Sequence, residues 1–126
     1  MSSIAAIIFV LLISVVILFQ LALSLGAPWG TIAMGGRFPG KFPTGMRIAA
    51  LVQALILSLL ALIVPVHAKL VLPEFYAYSY VGIWVVVVVF SLSLVMNLIT
   101  PSKWERIIWA PVAAILVTCA LIVADL

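Results

Sequence analysis

Four long stretches of the sequence consist mainly of apolar residues and contain no charged side chain. They cover residues 4–25, 48–66, 80–99 and 107–124. An α-helix rises 1.5 Å per residue, so about 17–25 residues cross the hydrocarbon core of a bilayer. Each stretch has a length in this range. The sequence therefore predicts an all-α membrane protein that forms a bundle of four transmembrane helices.

The composition excludes an ordinary soluble domain. Only 7% of the residues are charged, whereas soluble domains carry about 25%. We expect one domain over residues 1–126, with a structured loop at residues 26–46. The four helices are expected at about 4–25, 47–66, 75–99 and 103–124.

The first apolar stretch has an alternative interpretation as a secretory signal. Within Ser24-Leu25-Gly26, the small residues Ser24 and Gly26 have the spacing of a signal-peptidase site. However, no basic residue precedes the stretch, and it is longer than the about 7–15 apolar residues of most signal peptides. We therefore expect it to be a transmembrane helix.

Basic side chains are divided unevenly between the two sides that four spans create. Residues 26–47 and 100–106 hold five of the six lysines and arginines, while residues 67–79 hold only Lys69. Short loops rich in Lys and Arg stay on the cytoplasmic side of a membrane. We therefore expect loops 26–47 and 100–106 in the cytoplasm and both termini outside.

The loop after the first stretch reads GAPWGTIAMGGRFPGKFPTG and holds six of the seven glycines. Gly26 suits the position that follows a helix C-terminus. The Gly35-Gly36 pair between two short segments is typical of a hairpin turn, and Pro39 and Pro43 would restrict the second segment to an irregular edge strand. We expect a short β-hairpin-like loop that lies on the membrane surface.

Two helix starts are predicted from capping residues. Ser102 and Glu105 fit a capping box, in which the Ser102 hydroxyl caps the helix and the Glu105 carboxylate accepts the backbone N–H of Ser102. Thr44 is expected to cap the second helix in the same way. This interpretation gives Glu105 a structural role in place of an acid–base role.

The residue types that catalysis needs are scarce. The sequence has one His, one Cys and three acidic residues, and no acidic residue lies in an apolar stretch. A metal site needs several such ligands together, and proton-coupled transport normally uses a carboxylate or histidine inside the membrane. A Ser-His-Asp arrangement would require His67 and Asp125, and no serine is marked as its nucleophile. We expect no enzyme activity, no cofactor, no metal and no nucleic-acid partner.

Three amide side chains lie inside the apolar stretches at a similar depth. Gln20, Gln53 and Asn97 all fall toward the side of the basic loops, because alternate helices run in opposite directions. An unpaired amide is costly in hydrocarbon, so we expect the three to face inward. They either hydrogen-bond between helices, which is the commoner role, or line a pocket for a lipid headgroup, a quinone or another amphiphile. The residues of this candidate pocket are Gln20, Gln53, Asn97, Ser93, Arg37, Arg47 and Trp29.

Three segments are similar to those of a known group of proteins. They are Gly-Ala-Pro-Trp-Gly at 26–30 with the Gly35-Gly36 pair, Pro-x-x-x-Arg at 43–47, and Asn-Leu-Ile-Thr-Pro-Ser-x-x-Glu-Arg-x-x-Trp-Ala-Pro at 97–111. With them the chain resembles, over essentially its whole length, a group of small, uncharacterised bacterial four-helix integral membrane proteins. The resemblance implies the four-helix architecture and a bacterial cytoplasmic membrane, and it implies no activity.

Two functions are consistent with the sequence. The first is a small non-enzymatic accessory or scaffold subunit that packs against another copy or a larger membrane complex, through apolar faces and ladders of small residues such as Ala50, Ala54 and Ser58. The alternative is a binder or carrier of an amphiphilic small molecule or lipid in an inner-leaflet pocket. A holin-like pore ranks last, because the chain lacks the charged tail that we expect of one. Membrane lipids are partners in each case.

Overall fold

A computed structural model describes residues 2–125 as an all-helical protein. Its long helices are α1 (Ser2–Ser24), α2 (Thr44–His67), α3 (Tyr76–Ile99) and α4 (Lys103–Ala124). Three short 3₁₀ turns lie between them, at Gly30–Ile32, Met34–Gly36 and Pro73–Phe75. Each long helix is long and apolar enough to cross a membrane. The prediction of four membrane-spanning helices is thus confirmed at the level of length and composition.

The four helices form a ring in which neighbours in sequence pack together. Helix α1 packs on α2 and α4, and α3 packs on α4 and α2, whereas contacts across the diagonals are few. This arrangement is the up-and-down four-helix bundle. The ring brings the loop between α1 and α2 to the same end of the bundle as the start of α4.

The core lies along the axis of the bundle. Phe9 of α1 and Phe90 of α3 meet edge to face, with ring centroids 5.5 Å apart. Ile13, Ile83 and Leu116 are buried around this pair. Large apolar side chains also cover the outer surface, as expected for helices that are surrounded by lipid.

Helix α1 ends as its sequence predicts. Gly26 has a positive φ of +101°, and its N–H donates to Leu23 O while the N–H of Ala27 donates to Ala22 O. These two bonds form a Schellman motif, which satisfies carbonyl groups of the last turn. The cap predicted for α2 is wrong: Thr44 is the first helical residue, and the preceding Pro43 takes the N-cap position without a side-chain bond.

The β-hairpin predicted for the loop between α1 and α2 is also wrong. No strand occurs between residues 2 and 125, and the Gly35-Gly36 pair lies in the second of two 3₁₀ turns. Both glycines do have positive φ, of +69° and +75°. The carbonyls of Thr31 and Ile32, just before the pair, accept hydrogen bonds from Ser102 Oγ and Trp109 Nε1. These two carbonyls are therefore not paired with a second β-strand.

Candidate functional site

One end of the bundle is formed by residues 25–43, by residues 100–102 and by the first turns of α2 and α4, and we name it the basic end. Glu105 of α4 is buried there, with 8% of its surface exposed. Its carboxylate accepts the backbone N–H of Gly35 at 2.9 Å. This bond ties the middle of the loop to the start of α4.

The capping box predicted for α4 is present in one half only. Ser102 is the N-cap, and its hydroxyl accepts the backbone N–H of Glu105 at 3.3 Å. The same hydroxyl donates to Thr31 O at 2.5 Å. However, the backbone N–H of Ser102 donates to Thr100 Oγ1 and not to Glu105. The Glu105 carboxylate is used for the loop instead.

Aromatic side chains hold the first part of the loop against the bundle. Trp109 Nε1 donates to Ile32 O at 2.9 Å. The ring of Phe19 lies between two tryptophans, 4.7 Å from Trp109 and stacked on Trp29 with centroids 6.1 Å apart. Trp29, which the sequence placed in the candidate pocket, is therefore a packing partner of α1.

The loop closes on itself at Gly30. Its backbone N–H donates to Gly40 O at 2.9 Å, and a Cβ atom at this position would lie 1.7 Å from Phe38 O. Phe42 is buried below this closure with Leu23 and Ala33. The basic end thus has a folded loop with a small core of its own.

The three amides of the candidate pocket have different surroundings. Gln20 is half-buried, and its Oε1 has no hydrogen-bond partner. Gln53 is exposed on the outer surface of α2. Asn97 donates to Ser93 O at 2.8 Å and lies 3.4 Å from Ser93 Oγ, within its own helix. No hydrogen bond between described residues joins two of these amides.

The two arginines of the candidate pocket also have different surroundings. Arg37 is exposed and follows the second 3₁₀ turn of the loop. Arg47 is half-buried, and its Nε donates to Ser24 O at 2.9 Å, which joins the ends of α1 and α2. The structure therefore places Arg47 in an interhelical contact.

A groove of about 540 Å³ opens beside Arg47 on the surface between α1 and α2. Lys41 does not line the groove but comes close to Arg47, because a Cβ atom at Gly26 would lie 3.4 Å from both Lys41 Nζ and one terminal nitrogen of Arg47. Sequence reasoning missed Lys41, and no local spacing marks it as a partner of Arg47. The lining residues are Leu21, Ser24, Leu25, Thr44, Arg47, Ile48 and Leu51.

A polar cluster that the sequence did not predict lies at the opposite end of the bundle. His67 is fully buried, and its Nδ1 lies 2.7 Å from Ser79 Oγ. Its ring stacks on Tyr76 and meets the edge of Tyr80, with centroids 5.5 and 5.1 Å away. Lys69 lies over the Tyr76 ring at 4.7 Å. The spacing of Tyr76 and Tyr80, one helical turn apart, was the only signal that could have indicated this cluster.

The hydrogen bonds of Ser79 fix the roles of the His67 ring nitrogens. The Ser79 hydroxyl has one proton, which it donates to Tyr76 O at 2.6 Å. His67 Nδ1 must therefore donate to Ser79, and Nε2 is left as an acceptor, which has no partner. In this arrangement His67 does not withdraw the Ser79 proton, so the pair is not a nucleophile with its base.

Metal-binding chemistry finds no support in the described residues. Between residues 2 and 125, no three side chains of the His, Cys, Asp or Glu type lie close enough to hold a metal ion.

Comparison of the chain with models of protein families, with curated proteins and with solved structures gave no match.

Proposed function

We propose that the protein is a small non-enzymatic integral membrane subunit that assembles, through the outer face of α2, with another copy of itself or with a larger membrane complex. The exposed amide of Gln53 carries this proposal. A polar side chain on the outer surface of a transmembrane helix indicates that something other than lipid covers it.

Gln53 lies well inside the apolar part of α2. It lies six residues beyond Arg47 in α2, or about 9 Å along the helix axis. At that depth an amide without a partner loses the hydrogen bonds that water would make. A facing helix with a polar group can replace them, and two copies related by a two-fold axis can do so with their own Gln53 side chains.

Two small residues of α2 pack inside the bundle and are not free to form an assembly surface. Ala50 and Ala54 are buried within the bundle. These two positions of the predicted small-residue ladder thus serve the packing of the single chain, so we place the assembly surface on the exposed part of α2. Gln53 is the one amide on that part of the helix.

The proposed setting is the bacterial cytoplasmic membrane, with the basic end in the cytoplasm. The support is the charge asymmetry: the basic end holds Arg37, Lys41, Arg47, Lys103 and Arg106, and the opposite end holds Lys69.

The substitution Gln53→Leu tests the assembly. We expect the purified protein in mild detergent or nanodiscs to have a mass above that of one chain, or to carry a membrane protein that co-purifies with it. Interhelical amide bonds contribute about 1–2 kcal/mol in model peptides, so Gln53→Leu should raise the dissociation constant about tenfold.

Gln20→Leu is the matched control, because it removes an amide at similar depth from a half-buried position. It should leave the measured mass unchanged. A wild-type protein that is a strict monomer without a co-purifying membrane protein contradicts the proposal, and so does an equal effect of the two substitutions.

A second candidate function is the binding of an amphiphilic small molecule or lipid in a pocket at the basic end. The buried Gln20 Oε1, which lacks a hydrogen-bond partner, favours it because a ligand with a donor group would satisfy this atom. Native mass spectrometry of the purified protein tests the idea. A retained ligand that is lost in Gln20→Leu supports it, and the absence of any retained ligand contradicts it.

A further inference from the structure

We propose that the groove between α1 and α2 at the basic end is a binding site for an anionic glycerophospholipid. The phosphate lies between Lys41 and Arg47, and an acyl chain lies along the apolar wall of the groove. This site is separate from the Gln53 surface and from Gln20, which does not line the groove.

The two cations converge on one point. Lys41 Nζ and a terminal nitrogen of Arg47 each lie 3.4 Å from the position of a Cβ atom at Gly26, so they are at most about 7 Å apart. Like charges at this distance repel each other, and an anion between them removes the repulsion. Arg47 uses only its Nε in the bond to Ser24 O, so its terminal N–H groups are available to an oxyanion.

No acidic side chain of the described chain is placed to neutralise this pair. Glu105 is the acidic residue of the basic end, and its carboxylate is buried and bonded to Gly35. Glu74 and Asp125 follow α2 and α4, at the opposite end. The charge of Lys41 and Arg47 therefore calls for an anion from outside the chain.

The remaining groove wall determines what kind of anion fits. It is lined by Leu21, Leu25, Ile48 and Leu51, and Leu25 exposes 81% of its surface. A phospholipid can place its phosphate at the cations and its acyl chain along this apolar wall, whereas a small soluble anion contacts the cations alone.

The hydroxyl of Thr44 and the first turn of α2 add to the attraction for a phosphate. Thr44 lines the groove, and the N-cap residue Pro43 offers no side chain to the free N–H groups of that turn. The positive end of the helix dipole lies there as well.

The test measures the affinity of the delipidated full-length protein in neutral detergent for three probes: dioleoyl phosphatidylglycerol, dioleoyl phosphatidylcholine and inorganic phosphate. We expect phosphatidylglycerol to bind at least about tenfold more tightly than phosphatidylcholine, because charge-assisted bonds to the phosphate are not offset by a choline cation. Inorganic phosphate should not compete with it. Equal affinity for the two lipids, or binding of inorganic phosphate with the affinity of phosphatidylglycerol, overturns the proposal.

Variants then locate the site. Arg47→Gln and Lys41→Gln should each weaken the binding of phosphatidylglycerol about tenfold. Lys103→Gln and Arg106→Gln remove exposed cations of the same end from α4, whereas the groove lies between α1 and α2, and they should change the affinity less than about twofold. Equal effects of all four substitutions mean general attraction between charges and overturn the site.

A variant that keeps every charge tests the groove itself. Ile48→Trp places a larger side chain in the groove from an exposed position of α2, so misfolding is not expected. It should weaken the binding of phosphatidylglycerol about tenfold by displacing the acyl chain. An unchanged affinity in Ile48→Trp overturns the assignment of the groove.

Discussion

Two buried side-chain atoms between residues 2 and 125 have no hydrogen-bond partner, Gln20 Oε1 and His67 Nε2. Buried Glu105, in contrast, accepts a hydrogen bond from Gly35, which lies 70 positions earlier in the chain. His67 keeps one such contact, to Ser79, and its ring packs between Tyr76 and Tyr80. The cluster at this end therefore depends on Ser79 as the acceptor for a buried ring N–H.

Ser79→Ala tests this dependence in a double-mutant cycle with His67→Phe. In the wild-type background, Ser79→Ala leaves His67 Nδ1–H unpaired, and the free energy of unfolding should fall by about 1–3 kcal/mol. In the His67→Phe background no ring N–H remains, so the same substitution should cost less, because it removes only the bond of Ser79 to Tyr76 O. Equilibrium unfolding in mixed detergent measures all four proteins.

An equal loss in both backgrounds would contradict the assigned donor and acceptor roles. His67→Phe alone keeps an aromatic ring between Tyr76 and Tyr80, so its own cost should be below about 1.5 kcal/mol.

At the scale of the elements, the loop between α1 and α2 depends on glycine at particular positions. A side chain at Gly30 would meet Phe38 O at 1.7 Å and Gly40 O at 2.7 Å, and both are backbone atoms that cannot move aside alone. Gly45, in the first turn of α2, has nothing within 4 Å of the same position. A side chain is therefore excluded at Gly30 and can be accommodated at Gly45.

Gly30→Ala and Gly45→Ala form a matched pair. Gly30→Ala should lower the free energy of unfolding by more than about 2 kcal/mol, because the loop must open to admit the methyl group. Gly45→Ala should raise it by about 0.5–1 kcal/mol, because alanine loses less conformational entropy in a helix. Thermal unfolding followed by circular dichroism separates them, and a similar change in both midpoints would contradict the loop geometry.

The elements also show which features follow from local sequence. The four helices and the Ser102 cap were predictable, because apolar length and an N-cap spacing act within one segment. The bond from Glu105 to Gly35 spans 70 positions, and that between His67 and Ser79 crosses a loop, so neither has a local pattern. The hairpin turn predicted at Gly35-Gly36 requires positive φ, and both glycines have it. However, the carbonyls of Thr31 and Ile32 bond to Ser102 and to Trp109 of α4, and not to a second strand.

The candidate sites likewise combine features set by local sequence with features that depend on how distant segments pack. The depth of Gln20, Gln53 and Asn97 was predictable from counting residues along each stretch. Which side of its helix each amide occupies depends on how the helices pack, and the structure places Gln53 on the outside. Lys41 became part of a candidate site only when the loop folded back over Gly26.

The whole molecule is a ring of four helices with most of its cationic side chains at one end. Lys69 and Lys103 are both exposed and lie at opposite ends of the bundle. Cys119 is buried and can be replaced by alanine to give a background without cysteine. These three positions allow the proposed orientation to be measured.

In the Cys119→Ala background, Lys69→Cys should react with a membrane-impermeant maleimide in intact cells, and Lys103→Cys should react only after the cells are opened. The reason is the excess of basic residues at the end that carries Lys103. The reverse pattern of labelling would contradict the proposed orientation.

During synthesis, Gly35 is made 70 residues before Glu105, to which it bonds in the folded protein. The loop needs the carboxylate of Glu105, the hydroxyl of Ser102 and the indole of Trp109, and all three leave the ribosome some 70 residues after it. At about 5–20 residues per second, the loop waits roughly 4 to 14 s for its partners. Until α4 is synthesised, the loop of a nascent chain with three inserted helices lacks these hydrogen bonds and is exposed to proteases and to the lipid surface.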